Sequence, residues 1–218
     1  MSATSLSLNL RRLANITIAG IAYYIIVVIL LHFLRPDVNP LNQLTNDYAY
    51  GPFSFLMITA YFGMSLGSLA LVIGLNRGVS RQARSLFGLI LMGVWAVGLL
   101  IAGIIPLFPN LVQQNIAEKI YQINGPLHVV SLVIGAILIS WRLKQDDYWR
   151  SSYAMLLILS IIMVVLFIGV GIATATGSVI EGLGQRLFIA SALTWLSLTS
   201  ARLRSIATVQ DKPVGRTG

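Results

Sequence analysis

Residues 13–34 read LANITIAGIAYYIIVVILLHFL, twenty-two consecutive positions with no Asp, Glu, Lys or Arg. As a helix rising 1.5 Å per residue this stretch spans about 33 Å, slightly more than the hydrocarbon core of a bilayer. It exceeds the 7–15 apolar residues of a secretory leader, and Arg35-Pro36-Asp37 follows it where a small-x-small cleavage site would stand. The stretch therefore reads as a membrane-spanning helix. The Arg11-Arg12 pair before it reads as an orientation signal, only superficially like a twin-arginine export motif.

Five further apolar runs follow at 53–75, 86–108, 127–141, 152–174 and 183–203. The fourth is short and is expected to begin nearer Ile123 to Pro126, with proline tolerated in a first helical turn. The whole chain agrees with this pattern: of 218 residues 56% are hydrophobic and only 10% charged, where a soluble domain carries about 25% charge. The expected fold is all-α, a polytopic transmembrane bundle of six helices. A cytoplasmic N-terminus (1–12), a transmembrane domain (13–205) and a disordered cytoplasmic tail (206–218) complete the expected organisation. No internal repeat is visible.

The net charge of +8 comes from 15 Lys and Arg against 7 Asp and Glu. Twelve of the basic residues fall in the N-terminus, the second and fourth connections and the C-terminus, and three (Arg35, Lys119, Arg186) fall on the opposite side. By the positive-inside rule both termini are then cytoplasmic, in a cell membrane. An alternation this clean requires an even number of crossings. The basic residues occupy short segments between apolar runs, which argues against a nucleic-acid surface and for membrane lipids as partners. With no cysteine, thiolate chemistry and Cys-ligated metals are excluded.

Connections on the basic side are brief, whereas the first outer loop, residues 35–52, is long and rich in Pro, Asn, Asp and Tyr. In the second outer loop Val112, Ile116, Ile120 and Ile123 recur at helical spacing, with Gln113, Gln114, Glu118 and Lys119 on the other face. That predicts a short amphipathic helix in the membrane interface after Pro109-Asn110. Ionisable groups near or within spans are costly and invite a functional reading. Arg35, Asp37, Asp47, His128, Glu181, Gln185 and Arg186 all fall toward the outer end, and they define a candidate ligand-binding polar cluster. His128 and Arg186 are expected within one side-chain layer of each other. The bland alternative is that the charged groups snorkel to the headgroups while the histidines bond to neighbouring helices.

Other chemistries fit poorly. A zinc hydrolase needs about three ligands from a chain with two histidines, so Asp37, Asp47 or Glu181 would have to serve. His32 and His128 could in principle be the two axial ligands of a haem between helices. A Ser54–His128–Asp47 triad lacks a nucleophile elbow. Catalytic residues, a metal and a cofactor are therefore not expected. Gly63-x-x-x-Gly67 with Ser65 and Ser68, and Gly169-x-Gly171, are read first as internal helix packing and second as a homodimer or membrane-complex face. Trp141, Tyr148 and Trp149 read as an aromatic belt, and Trp95 and Trp195 as packing or lipid-facing residues.

Several segments in order carry a resemblance. They are Arg35-Pro36 with Pro40, Gly103-Ile-Ile-Pro-Leu-Phe-Pro109, Pro126-Leu-His128 and Gly182-Leu-Gly-Gln-Arg-Leu-Phe188. Over nearly its whole length the chain resembles the domain-of-unknown-function 998 family, small six-helix membrane proteins of bacteria and archaea. Asn110 stands where that family often has an acidic residue. The resemblance implies that His128, Gln185 and Arg186 share a site, and it implies no reaction. The expected function is non-catalytic binding of a lipid or small ligand, or support of a membrane complex, through the outer polar cluster. A small proton-coupled transporter using His128 and Glu181, and an intramembrane enzyme or haem protein, are the rivals.

Overall fold

The computed structural model describes residues 3–108 and 116–210, and all their regular elements are helical. Six long helices run in chain order: α1 (Ala3–Leu34), α2 (Ser54–Gly78), α3 (Leu86–Ile104), α4 (Ile116–Arg142), α5 (Tyr153–Thr176) and α6 (Glu181–Gln210). Short 3-10 turns occupy Thr45–Ala49, Ile105–Leu107 and Leu143–Gln145. Among the described residues five helices contain windows long and apolar enough to cross a membrane, at Ser7–Leu34, Ser54–Gly78, Leu86–Leu107, Glu118–Gln145 and Tyr153–Thr176. The chain is a helical membrane bundle.

The sixth helix, α6, falls outside that set because Arg186 and a run of hydroxyl residues from Ser191 to Ser200 dilute its apolar content. Four of those hydroxyls, on Ser191, Thr194, Thr199 and Ser200, donate to carbonyls of the same helix. Thr199 and Ser200, both fully buried, donate to the carbonyls of Trp195 and Leu196 at 2.7 Å. A helix whose polar groups bond to its own backbone can lie within a bundle without water.

The helices form a ring in which each packs on its chain neighbours and α6 closes back on α1. Small residues set the tightest contact. A Cβ on Gly20 of α1 would stand 2.5 Å from the Gly63 carbonyl oxygen of α2, and Thr17 donates to the Gly67 carbonyl at 2.8 Å. The Gly63/Gly67 pair thus packs inside the chain, where close backbone approach replaces the hydrophobic force that lipid does not supply. Further around the ring, Ser65 donates to the Ala96 carbonyl at 2.7 Å, Trp95 Nε1 to Ser68 at 3.1 Å and Asn124 to the Gly98 carbonyl at 3.0 Å.

One end of the bundle, which bears the basic connections, is closed. Trp195 Nε1 donates to Ser140 at 3.0 Å, Ser140 lies 3.2 Å from Ser160, and Ser160 donates to the Leu156 carbonyl, tying α6, α4 and α5 together. Leu203 of α6 reaches across the ring onto Gly74 and Gly78 of α2. The buried carboxylate of Asp146 accepts from the backbone N–H groups of Ser80, Tyr148 and Trp149, which fastens two connections to each other.

Several boundaries differ from the sequence reading. α1 begins at Ala3, so the expected N-terminal segment is largely helical, and its residues Ser7 and Leu10 are buried. The described part of the expected interfacial helix, 116–123, forms the opening turns of α4, which continues through Pro126 without a break. Pro109, Asn110, Val112, Gln113 and Gln114 lie outside the described residues. Ile206 and Ala207, read as the start of the tail, are buried on α6. Trp149 is no belt residue. It is wholly buried and donates to the Gly78 carbonyl at 3.2 Å, whereas Trp141 stays exposed beneath the Lys144 ammonium.

Candidate functional site

At the opposite end the ring is hollow. A chamber of about 720 Å³ opens among all six helices, within the 300–1,000 Å³ of typical small-molecule sites. Its walls are largely apolar: Met64, Leu99, Val129, Phe167, Phe188 and Leu193 line it, with Tyr24, Tyr61 and Trp95. Trp95 is the middle residue of α3, so the chamber reaches mid-helix depth before Trp195, Ser140 and Ser160 close the bundle below. Toward the mouth the lining turns polar, with Thr45, Asn46, Glu118, Gln122, Asn124, His128, Glu181 and Gln185.

One flank of the chamber is bounded by glycines. Gly125 and Pro126 of α4 and Gly171, Thr174 and Ala175 of α5 line it, and a Cβ on Gly125, Gly169 or Gly171 would meet nothing within 4 Å. Among the described residues, Gly169 and Gly171 therefore have no packing partner. α5 is also the least enclosed span, with 17% of its apolar window buried. It ends at Gly177, whose φ of 62° allows the N–H of Ser178 to reach the Ala173 carbonyl at 2.8 Å, a glycine helix stop.

The polar residues singled out in the sequence separate into three groups. Arg35 holds together the connection between α1 and α2. Its buried guanidinium grips Asp37 with two parallel hydrogen bonds, from Nε at 2.8 Å and from the NH2 nitrogen at 2.7 Å, and reaches the carbonyls of Tyr50 at 2.6 Å and Pro52 at 3.1 Å. Gly51, at φ 81°, lets the chain pass against this guanidinium. The Arg35 hydrogen bonds hold the Asp37 carboxyl below its ordinary range. Asp47 caps the short turn after Leu44 by accepting its N–H at 3.1 Å, and burial pushes its carboxyl upward.

Arg186 forms the second group and is not among the chamber's lining residues. Its NH1 nitrogen donates to the carbonyls of Pro40 at 2.9 Å and Gln43 at 2.7 Å, and its Nε to His32 Nε2 at 3.2 Å. The His32 ring lies 5.4 Å from the buried Tyr48 ring, and its Nδ1 bonds to the Val28 carbonyl at 2.6 Å. Gly182 permits this loop to lie on α6, because a Cβ there would strike the backbone of Gln43 and Pro40.

His128, Glu181 and Gln185 form the third group, on the chamber wall. His128 stacks on Trp95 with ring centres 5.2 Å apart, and its Nδ1 bonds to the Asn124 carbonyl one turn earlier. Since a carbonyl only accepts, Nδ1 carries the proton and Nε2 is left as an acceptor. Gln185 accepts from the Thr45 backbone at 2.8 Å and its hydroxyl at 3.1 Å, and Glu181 accepts from Thr174 at 2.7 Å.

The expected single cluster is thus divided, and Arg186 does not share the chamber with His128. The haem pair does not fit: both nitrogens of His32 are engaged within the chain, and His32 is not among the chamber residues. Among the described residues no three His, Asp or Glu side chains gather to hold a metal. Sequence reasoning missed Trp95, Tyr24, Tyr61, Gln122 and Asn124. Asn124 was within reach, since it precedes His128 by four residues and so shares its helix face.

An all-helical membrane bundle with a half-deep interior chamber is the class that fold and site define. By comparison with protein families, the chain belongs to the family described as "Protein of unknown function (DUF998)", which matches residues 17–202. No curated protein matches it, and no solved structure does.

Proposed function

We propose that this protein binds an amphiphilic small molecule, a lipid or lipid-like ligand, in the chamber. The chamber itself carries the reading: about 720 Å³ with apolar walls at depth and polar groups at one end matches a molecule with a chain and a head. The first outer loop, fastened by Arg35 and Arg186, forms part of the mouth through Thr45 and Asn46. This role needs no catalytic group. We place both termini and the basic connections in the cytoplasm, so the mouth faces outward, on the strength of the charge asymmetry.

Extraction and mass spectrometry of the purified protein test the reading. The wild type is expected to retain one amphiphile in near-stoichiometric amount, which a Gly171→Phe variant lacks because its ring occupies the flank of the chamber. Equal lipid content in both, in the proportions of the surrounding membrane, would contradict it. A carrier is the second reading, favoured by the chamber's reach to Trp95. It requires the closure at Trp195, Ser140 and Ser160 to open, and passage of a chamber ligand across vesicles would demonstrate it.

A further inference from the structure

We propose that the chamber selects amphiphiles with a positively charged head and rejects anionic ones, an inference that rests on the binding role above. Among the described residues the charged side chains in its lining are Glu118 and Glu181, and no lysine or arginine lines it. Glu181 is held by Thr174 and Glu118 lies 3.3 Å from the Gln122 amide, so neither carboxylate is neutralised by a cation in those contacts. Lys119, next to Glu118 in sequence, is not among the lining residues, and Arg186, five residues after Glu181, turns its guanidinium toward the carbonyls of Pro40, Gln43 and Gly182 and toward His32.

The uncharged groups point the same way. His128 offers Nε2 as an acceptor, because its Nδ1–H donates to the Asn124 carbonyl. Pro126 lacks the N–H that would bond the Gln122 carbonyl one turn before it, and both residues line the chamber. Deeper in, Trp95, Tyr24 and Tyr61 present aromatic faces, which attract cations and repel anions. The helix dipoles do not reverse this balance, because α1, α3 and α5 end at this end of the bundle while α2, α4 and α6 begin there. An anionic head would be drawn from water into a site rich in acceptors. A cationic head would meet two carboxylates at the mouth of the chamber.

Two probes with the same 12-bromododecyl chain, one ending in trimethylammonium and one in sulfate, test this in discs of zwitterionic phosphatidylcholine. Bromine quenches tryptophan on contact, and subtraction of the signal from a Trp95→Phe variant isolates quenching inside the chamber. The ammonium probe is expected to bind about tenfold more tightly than the sulfate. That preference should collapse when Glu118→Gln and Glu181→Gln are combined, with the protein's melting temperature retained. Equal or tighter binding of the sulfate overturns the charge selection and leaves the chamber reading standing. An ammonium preference unchanged in the double variant overturns the assignment to these carboxylates. Quenching by neither probe overturns chamber binding itself, and the selection with it.

Discussion

Arginine acts in this protein mainly as a clamp for loop backbone. Arg35 brings two carbonyls and one side chain to a single planar fork and Arg186 three carbonyls and one side chain, a geometry that the lysine ammonium cannot reproduce. Arg186→Lys is therefore expected to loosen residues 36–47 although the charge is kept. Faster amide exchange in that segment is the readout, and unchanged exchange would contradict the clamp. Asp37 supplies the pH dependence. Because Arg35 lowers its pKa in the fold, their pair stabilises the loop fully above the ordinary carboxylate value of 3.8 and is lost as pH falls through the lowered one. Loop exchange should then rise sharply in acid, and Asp37→Asn should remove that limb.

The clamps also mark where the sequence was hard to read. A side chain's direction around a helix is fixed by neighbours that one sequence does not supply. Gln185 and Arg186 are adjacent, yet one lines the chamber and the other bonds to the connection between α1 and α2. Reading them as one site with His128 ignored the roughly 100° between successive helical positions.

At the scale of elements, the helices were legible because unbroken apolar runs have few alternatives in a bilayer. Their ends were less so. Gly125 and Pro126 look like a helix boundary, but a proline in a membrane helix costs only what its neighbours cannot restore, and α4 passes through both. Contacts between elements give sharper predictions. Gly20→Leu would force its Cβ onto the Gly63 carbonyl and should destabilise the α1–α2 contact by about 2–3 kcal/mol, a typical overpacking cost. Trp195→Phe removes the bond to Ser140 and should cost about 1 kcal/mol, as interhelical hydrogen bonds in membranes do. A larger thermal shift for Gly20→Leu than for Trp195→Phe is expected. The reverse order would deny the tight contact its role.

For the whole molecule, the distribution of charge and the ring of helices define two unlike ends. The basic end is sealed by Leu203, Trp195 and the Asp146 hydrogen bonds; the other holds the chamber. The absence of cysteine allows a direct check of orientation, since Asp47→Cys provides a single thiol on the connection between α1 and α2. Labelling by an impermeant maleimide added outside intact cells is expected, and labelling only after the cytoplasm is exposed would invert the proposed topology. The chamber was invisible in the sequence. A cavity results from where six helices fail to meet, and its apolar lining looks like ordinary core until the ring is assembled.

The central claim is that this hollow is a binding site rather than loose packing. High-resolution imaging of the protein in lipid discs tests it most directly. The account predicts a continuous elongated density between Trp95, Phe167 and Phe188, with its wider end beside Glu118 and Glu181. A chamber closed by α4 and α5 packing along their full length, with Gly125 and Gly171 in contact, would contradict it.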